Sequence, residues 1–207
     1  MAHSLQLLND LSNGSFIVRV LVIAESSEYA GILCKGLLLA GHELTEIAQP
    51  DGALPPAMAR ARPDAIFLET HSPGVDLLDR IIDAMGEAQL PLIIFSADSS
   101  EETIGRAVRA GAASYVVNGI QADRIPGILN VARARFELIN ELRGELGVAQ
   151  QKLAERKFVE RAKGLLMKSR GLSEDEAYHT LRRMAMERNR RMGEVARSVI
   201  EMAELLN

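Results

Sequence analysis

Eleven lysines and arginines lie between Arg156 and Arg191 against five acidic residues, a local net charge of +6 in a chain whose formal net charge is −4. Cations packed this densely do one kind of chemistry: they neutralise phosphates or other anions. Lys157, Arg161 and Lys168 fall at i, i+4 and i+11 and share a helix face, and Lys163 and Arg170, seven apart, form a neighbouring row. Arg182, Arg183, Arg190 and Arg191 extend the charge into the segment that follows. Arginine suits the task because its planar fork grips phosphate with two donors and stacks on splayed bases. The alternative is a solvated helix face laced with i, i+4 ion pairs.

Three short helices must position these cations. The first carries Phe158, Ala162, Leu165 and Leu166 on one stripe and stops at Gly171. Ser173 and Glu176 then form a capping box. The second buries Ala177, Tyr178, Leu181 and Ala185, with Tyr178 read as core in preference to a base-stacking ring. The third starts near Met192 and turns Val195, Ala196, Val199, Ile200 and Ala203 inward. Three helices with one stripe each predict a small bundle over residues 156–207.

Before the bundle, Leu129, Ala132, Phe136, Ile139, Leu142, Leu146, Ala149 and Leu153 recur in steps of three and four. This is coiled-coil spacing, with a stammer between Ile139 and Leu142. Over residues 123–155 it predicts a long helix that pairs with a second copy; the alternative is a helix folded back on the preceding domain.

Residues 16–122 alternate short apolar runs with helical patterns. Val18–Ile23, Leu44–Ala48, Ala65–Glu69, Leu92–Ser96 and Ser114–Asn118 read as strands; Tyr29–Ala40, Pro56–Arg62, Val75–Glu87 and Glu101–Ala110 read as helices. Such alternation predicts an α/β, flavodoxin-like fold with a five-stranded parallel sheet in the order 2-1-3-4-5, and any site at the carboxyl ends of the strands. Residues 1–15 show no period and read as a flexible tail.

Residues 1–150 hold eleven basic and nineteen acidic residues, and residues 151–207 thirteen and nine, so the halves face different partners. A single cysteine, Cys34, excludes an internal disulfide and reads as a structural thiol. His3, His42 and His71 stand apart from any second ligand, so no metal and no cofactor is expected. Neither a signal peptide nor an apolar run of membrane-spanning length is visible, and a cytoplasmic protein with no membrane partner is expected.

Two resemblances sharpen these readings. The runs AKGLLM (162–167), GLSEDEAYHTLRRMAM (171–186) and EVA (194–196) resemble the ANTAR domain, the RNA-binding module of the AmiR and NasT transcription antiterminators. Residues 16–122 resemble the receiver domain of response regulators. A working receiver of that family carries an acidic pair, a phosphoacceptor aspartate, a hydroxyl and a lysine. Here the corresponding positions hold Ala24-Glu25, Glu69, Ser96 and Asn118, so the pocket is degenerate and phosphorylation is not expected. Glu25 and Glu69 are then solvated loop-edge carboxylates or a relic pocket, or Glu69 imitates the charged state and fixes one conformation. The stretches SYVVNGI and ILNVARARFELINELRGEL are similar to the NasT subgroup. That similarity implies binding to paired hairpins in an mRNA leader, control of nitrate or nitrite assimilation genes, and regulation by a NasS-like nitrate-sensing protein. Two other readings remain: a DNA-binding regulator using Gly171-Leu172-Ser173 as the turn of a helix-turn-helix, and a phosphorelay receiver.

Overall fold

The computed structural model describes residues 17–86 and 88–205. The expected tail, His3 and the end of the helix expected at Glu87 lie outside these residues. The chain divides into two compact units, the second beginning at Asn140.

The first unit contains β1 (Arg19–Ala24), α1 (Ser27–Leu39), β2 (Glu43–Ala48), α2 (Leu54–Ala61), β3 (Ala65–Thr70), α3 (Val75–Met85), β4 (Leu92–Ser96), α4 (Glu101–Arg109) and β5 (Ser114–Val117). All neighbouring strands pair in parallel, in the order β2-β1-β3-β4-β5. Parallel pairing follows from the crossover helices, which cover both faces of the sheet. The inner strands β1, β3 and β4 are therefore largely apolar, and period-two alternation sorts their side chains into two cores. Val20, Val22, Phe67, Ile93 and Phe95 pack with Leu33 and Leu37 of α1. Leu21, Ile23, Ile66, Leu68 and Ile94 pack with Leu54 and Met58 of α2 and Leu78 and Ile81 of α3. Phe67 and Phe95 meet edge to face, with ring centroids 5.3 Å apart.

After a short 3₁₀ turn (Ala122–Arg124), α5 runs unbroken from Ile125 to Arg170. Its first turns belong to the first unit. Ile125, Leu129 and Ala132 are fully buried, and Phe136 packs beside them against β1, β3 and α1. Here the structure corrects the seam: Leu129, Ala132 and Phe136 face the chain's own sheet, not a second copy. Gly36 makes this approach possible, because a Cβ there would lie 2.6 Å from the Ala122 carbonyl oxygen and 2.7 Å from the Ile125 side chain. Further along, every residue from 141 to 154 is exposed. Ile139, Leu142, Leu146, Ala149 and Leu153 therefore form an apolar stripe with nothing packed against it among the described residues.

In the second unit, the end of α5, α6 (Glu174–Glu187) and α7 (Met192–Leu205) form a three-helix bundle. Val159, Ala162 and Leu166 meet Ala177, Leu181 and Ala185, and Val195, Ala196, Val199 and Ile200 close the core. Gly171, at φ +67°, ends α5. The Ser173–Glu176 capping box opens α6: the Ser173 amide donates to Glu176 Oε2 at 2.8 Å and the Glu176 amide to Ser173 Oγ at 3.3 Å. Gly193 lets α7 approach α5, since a Cβ there would sit 2.8 Å from Glu155 Cγ. Among the described residues no helix is long and apolar enough to cross a membrane.

Candidate nucleic-acid interface and receiver pocket

The carboxyl ends of the strands gather Glu25, Glu69, Ser96 and Asn118 around one cavity of about 330 Å³, together with Tyr29, Phe95, Val116 and Ile120. Glu69, at the end of β3, is 6% exposed. Its Oε2 accepts the backbone N–H groups of Glu25 at 3.1 Å and Ser26 at 2.9 Å, where β1 turns into α1. The Glu25 carboxylate reaches the other way, accepting the Thr70 hydroxyl at 2.5 Å and the His71 amide at 2.8 Å. Each glutamate thus ties the loop that carries the other. Ser96 donates its hydroxyl to the His71 carbonyl oxygen at 2.7 Å and accepts the Asp98 amide at 3.1 Å.

Asp98 escaped the sequence reading. It accepts the Ser72 hydroxyl at 2.7 Å, the Ser100 amide at 2.9 Å and the Thr103 hydroxyl at 2.9 Å. These donors, Ser72 foremost, hold its carboxyl far below the usual carboxylate range. The available signal was the run Ser96-Ala-Asp-Ser-Ser100 before α4, rich in residues that bond nearby backbone. Asn118 follows β5 with φ +53°, its amide donating to the Ser96 carbonyl oxygen at 3.0 Å. The loops at this end of the sheet are therefore joined by the protein's own carboxylates and hydroxyls.

In the bundle, Lys157, Arg161, Lys168, Arg170, Arg182, Arg183, Arg190 and Arg191 are all exposed. Lys163 is not. It is 7% exposed, and its Nζ donates to Glu174 at 2.7 Å and to Glu160 at 3.0 Å. Glu174 and Glu160 push the Lys163 ammonium up, and Lys163 holds the Glu174 carboxyl down. The expected second cationic row is thus broken. Lys163 follows the fully buried Ala162 and turns toward the acidic first turn of α6, where it staples two helices. Arg161 bonds Glu204 at 2.7 Å and Arg190 pairs with Glu194 at 3.4 Å, both on the surface, where such pairs contribute little. Lys157, Lys168, Arg170, Arg182, Arg183 and Arg191 enter no ion pair among the described residues.

Tyr178 is a second correction: it is 39% exposed, its ring edge-on to His179 at 6.0 Å between centroids. Ala177, Leu181 and Ala185 alone form the buried stripe of α6. Tyr178, Arg182 and Met186 lie at i, i+4 and i+8 and share an outward face. Arg182, Met186, Asn189, Arg190 and Arg191 line a shallow open depression between α6 and α7. Asn189, at φ +49°, makes the turn that brings Arg190 and Arg191 back beside Arg182. Arg197, not singled out before, lies over the Phe158 ring at 4.7 Å.

A receiver-type sheet followed in the chain by a basic three-helix bundle defines a class of regulator, and known proteins agree. Residues 148–200 match the ANTAR domain. The chain is 35% identical over 141 residues to the transcriptional regulatory protein PdtaR of Mycobacterium tuberculosis (strain H37Rv), covering 68% of each chain. It is 37% identical over 78 residues to a nitrate regulatory protein of Klebsiella oxytoca, covering 38% of this chain and 20% of that one. Among solved structures, NtrX of Brucella abortus superposes with a TM-score of 0.50 at 24% identity, over 62% of this chain and 29% of that one, a likeness of fold. The chain belongs to the ANTAR-domain antiterminator family, with a receiver-like first unit.

Proposed function

We propose that this protein binds paired hairpins in the leader of an mRNA and so favours an antiterminator fold over a terminator hairpin. The observation that carries the reading is the outward face of α6 and the turn after it. Arg182, Arg183 and Arg191 are exposed and unpaired among the described residues, and they stand with Tyr178 and Met186. Phosphate-gripping forks beside a ring and a polarisable apolar side chain suit splayed bases in RNA loops. Lys157, Lys168 and Arg170 supply further phosphate contacts.

Two chains pair through Ile139, Leu142, Leu146, Ala149 and Leu153 and present two bundles to two hairpins, with a gain in effective concentration. With Glu69 in place of the phosphoacceptor aspartate and Asn118 in place of the lysine, control falls to a partner protein. Similarity to the nitrate regulatory protein supports nitrate or nitrite assimilation genes as the target and a nitrate-sensing partner as the switch. Such a regulator works in the cytoplasm, on nascent transcripts.

The test is binding to a two-hairpin leader RNA and to duplex DNA of the same sequence at two salt concentrations. The expected result is salt-sensitive preference for the RNA. Arg182→Ala should lower the slope of log affinity against log salt by about 0.7–0.9, one phosphate contact. Preference for the duplex DNA would establish the helix-turn-helix reading instead.

A further inference from the structure

We propose that the cavity at the carboxyl ends of the strands is a receptor for a single alkylammonium group, with Glu69 as its anionic partner. Glu69 is 6% exposed, and only half of its carboxylate is spent. Oε2 accepts two backbone amides, whereas Oε1 has no hydrogen-bond donor among the described residues. The cavity that Glu69 lines contains no lysine or arginine, and Asn118 stands at its rim. A buried carboxylate facing a cavity without a cation favours whatever cation enters.

The geometry selects the kind of cation. A divalent metal takes about six oxygens. Both oxygens of Glu25 are already engaged, by Thr70 and His71, and the Ser26 hydroxyl accepts the Tyr29 amide. Guanidinium prefers two parallel bonds to a carboxylate, and Glu69 has one oxygen to give. A compact ammonium needs only that one. The remaining wall, from Tyr29, Phe95, Val116 and Ile120, suits a short alkyl stem, and about 330 Å³ is ample for one. The ammonium can arrive on a small amine or on a lysine side chain of another protein; the chemistry at Glu69 is the same.

The test uses the full chain and two probes, n-butylammonium and Nα-acetyl-lysine amide, followed by amide chemical shifts. Both probes are expected to perturb the amides of Glu25, Ser26 and Asn118, with neutral n-butanol leaving them unmoved. Binding of the free amine without the lysine derivative assigns the site to small amines; binding of both admits a protein side chain. Glu69→Gln keeps an oxygen for the two backbone amides and removes the charge, so affinity should fall about tenfold or more. Equal affinity in Glu69→Gln, an equal response to n-butanol, saturation by Mg²⁺ at lower concentration, or no response to either amine would overturn the proposal.

Asn118→Lys supplies the ammonium from within. It should stabilise folding about tenfold more in the parent chain than in the Glu69→Gln background, with the cost of lysine at a positive φ cancelling in the cycle. Equal effects in the two backgrounds would also overturn it.

Discussion

Replacing both Leu142 and Leu146 with glutamate is expected to abolish pairing of the chains and leave each chain folded. The side chains of Ile139, Leu142, Leu146 and Leu153 sit in the seam with 44%, 55%, 57% and 56% of their surface exposed. Fully burying such a side chain contributes about 1.5–3 kcal/mol, so covering the exposed half contributes about 0.8–1.5 kcal/mol. Eight side chains in a pair then supply about 6–12 kcal/mol, against an association cost on the order of 4–15 kcal/mol. The double substitution removes four of the eight, about 3–6 kcal/mol, which weakens the dimer about 10²- to 10⁴-fold. Sedimentation equilibrium over a concentration series measures this directly. Leu129→Glu is the contrasting change: it lies on the same sequence seam but is fully buried beneath the sheet, so it should unfold the first unit. A Leu142/Leu146 double variant with the parent dissociation constant would refute the assignment of this stripe to the dimer.

Three further outcomes are expected. Leu181→Ala, at the centre of the bundle core, should cost about 2–5 kcal/mol by denaturant unfolding of the second unit. Lys163→Met should lower the bundle's melting temperature by leaving Glu160 and Glu174 uncompensated, while the salt slope of RNA binding stays at its parent value; a reduced slope would return Lys163 to the contact face. Stability should also follow pH in two windows. Burial, then Arg133, lowers the pKa of His42 below its ordinary 6.5, so the unfolded chain takes up that proton first. The first unit should therefore lose stability as pH falls through about 6.5, and His42→Gln should flatten that limb. Asp64, Glu174 and Glu176 are held below their ordinary values by Arg19, Lys163 and Ser173 respectively. Their contribution is present above the usual carboxylate range and disappears only as pH falls through the lowered values, which thermal unfolding between pH 2 and 5 would show.

The sheet order and the bundle were legible because each rests on a short-range period. Strands buried on both faces read as apolar runs, α6 and α7 repeat every three to four residues, and Ser173 with Glu176 announces a helix start. The failures share a cause too. Spacing alone does not name the surface an apolar stripe will meet: Leu129 and Leu146 belong to one pattern, yet the first packs on the sheet and the second faces solvent. Tyr178 stands one position off a stripe that Ala177, Leu181 and Ala185 complete without it. Lys163 looked like its basic neighbours, since its principal partner, Glu174, lies eleven residues away in the next helix. Asp98 draws on Ser72 and Thr103, which only the fold brings together. At the receiver positions the residue types could be read, whereas the direction in which Glu69 spends its oxygen could not.

Residues 141–154 are all exposed and include Gly144 and Gly147, each of which disfavours helix by about 1 kcal/mol relative to alanine. A stretch this exposed opens at low free-energy cost, and its amides exchange on the timescale of local fraying. Pairing closes it. Under the proposed pairing, the order of this segment would rise with the protein's own concentration.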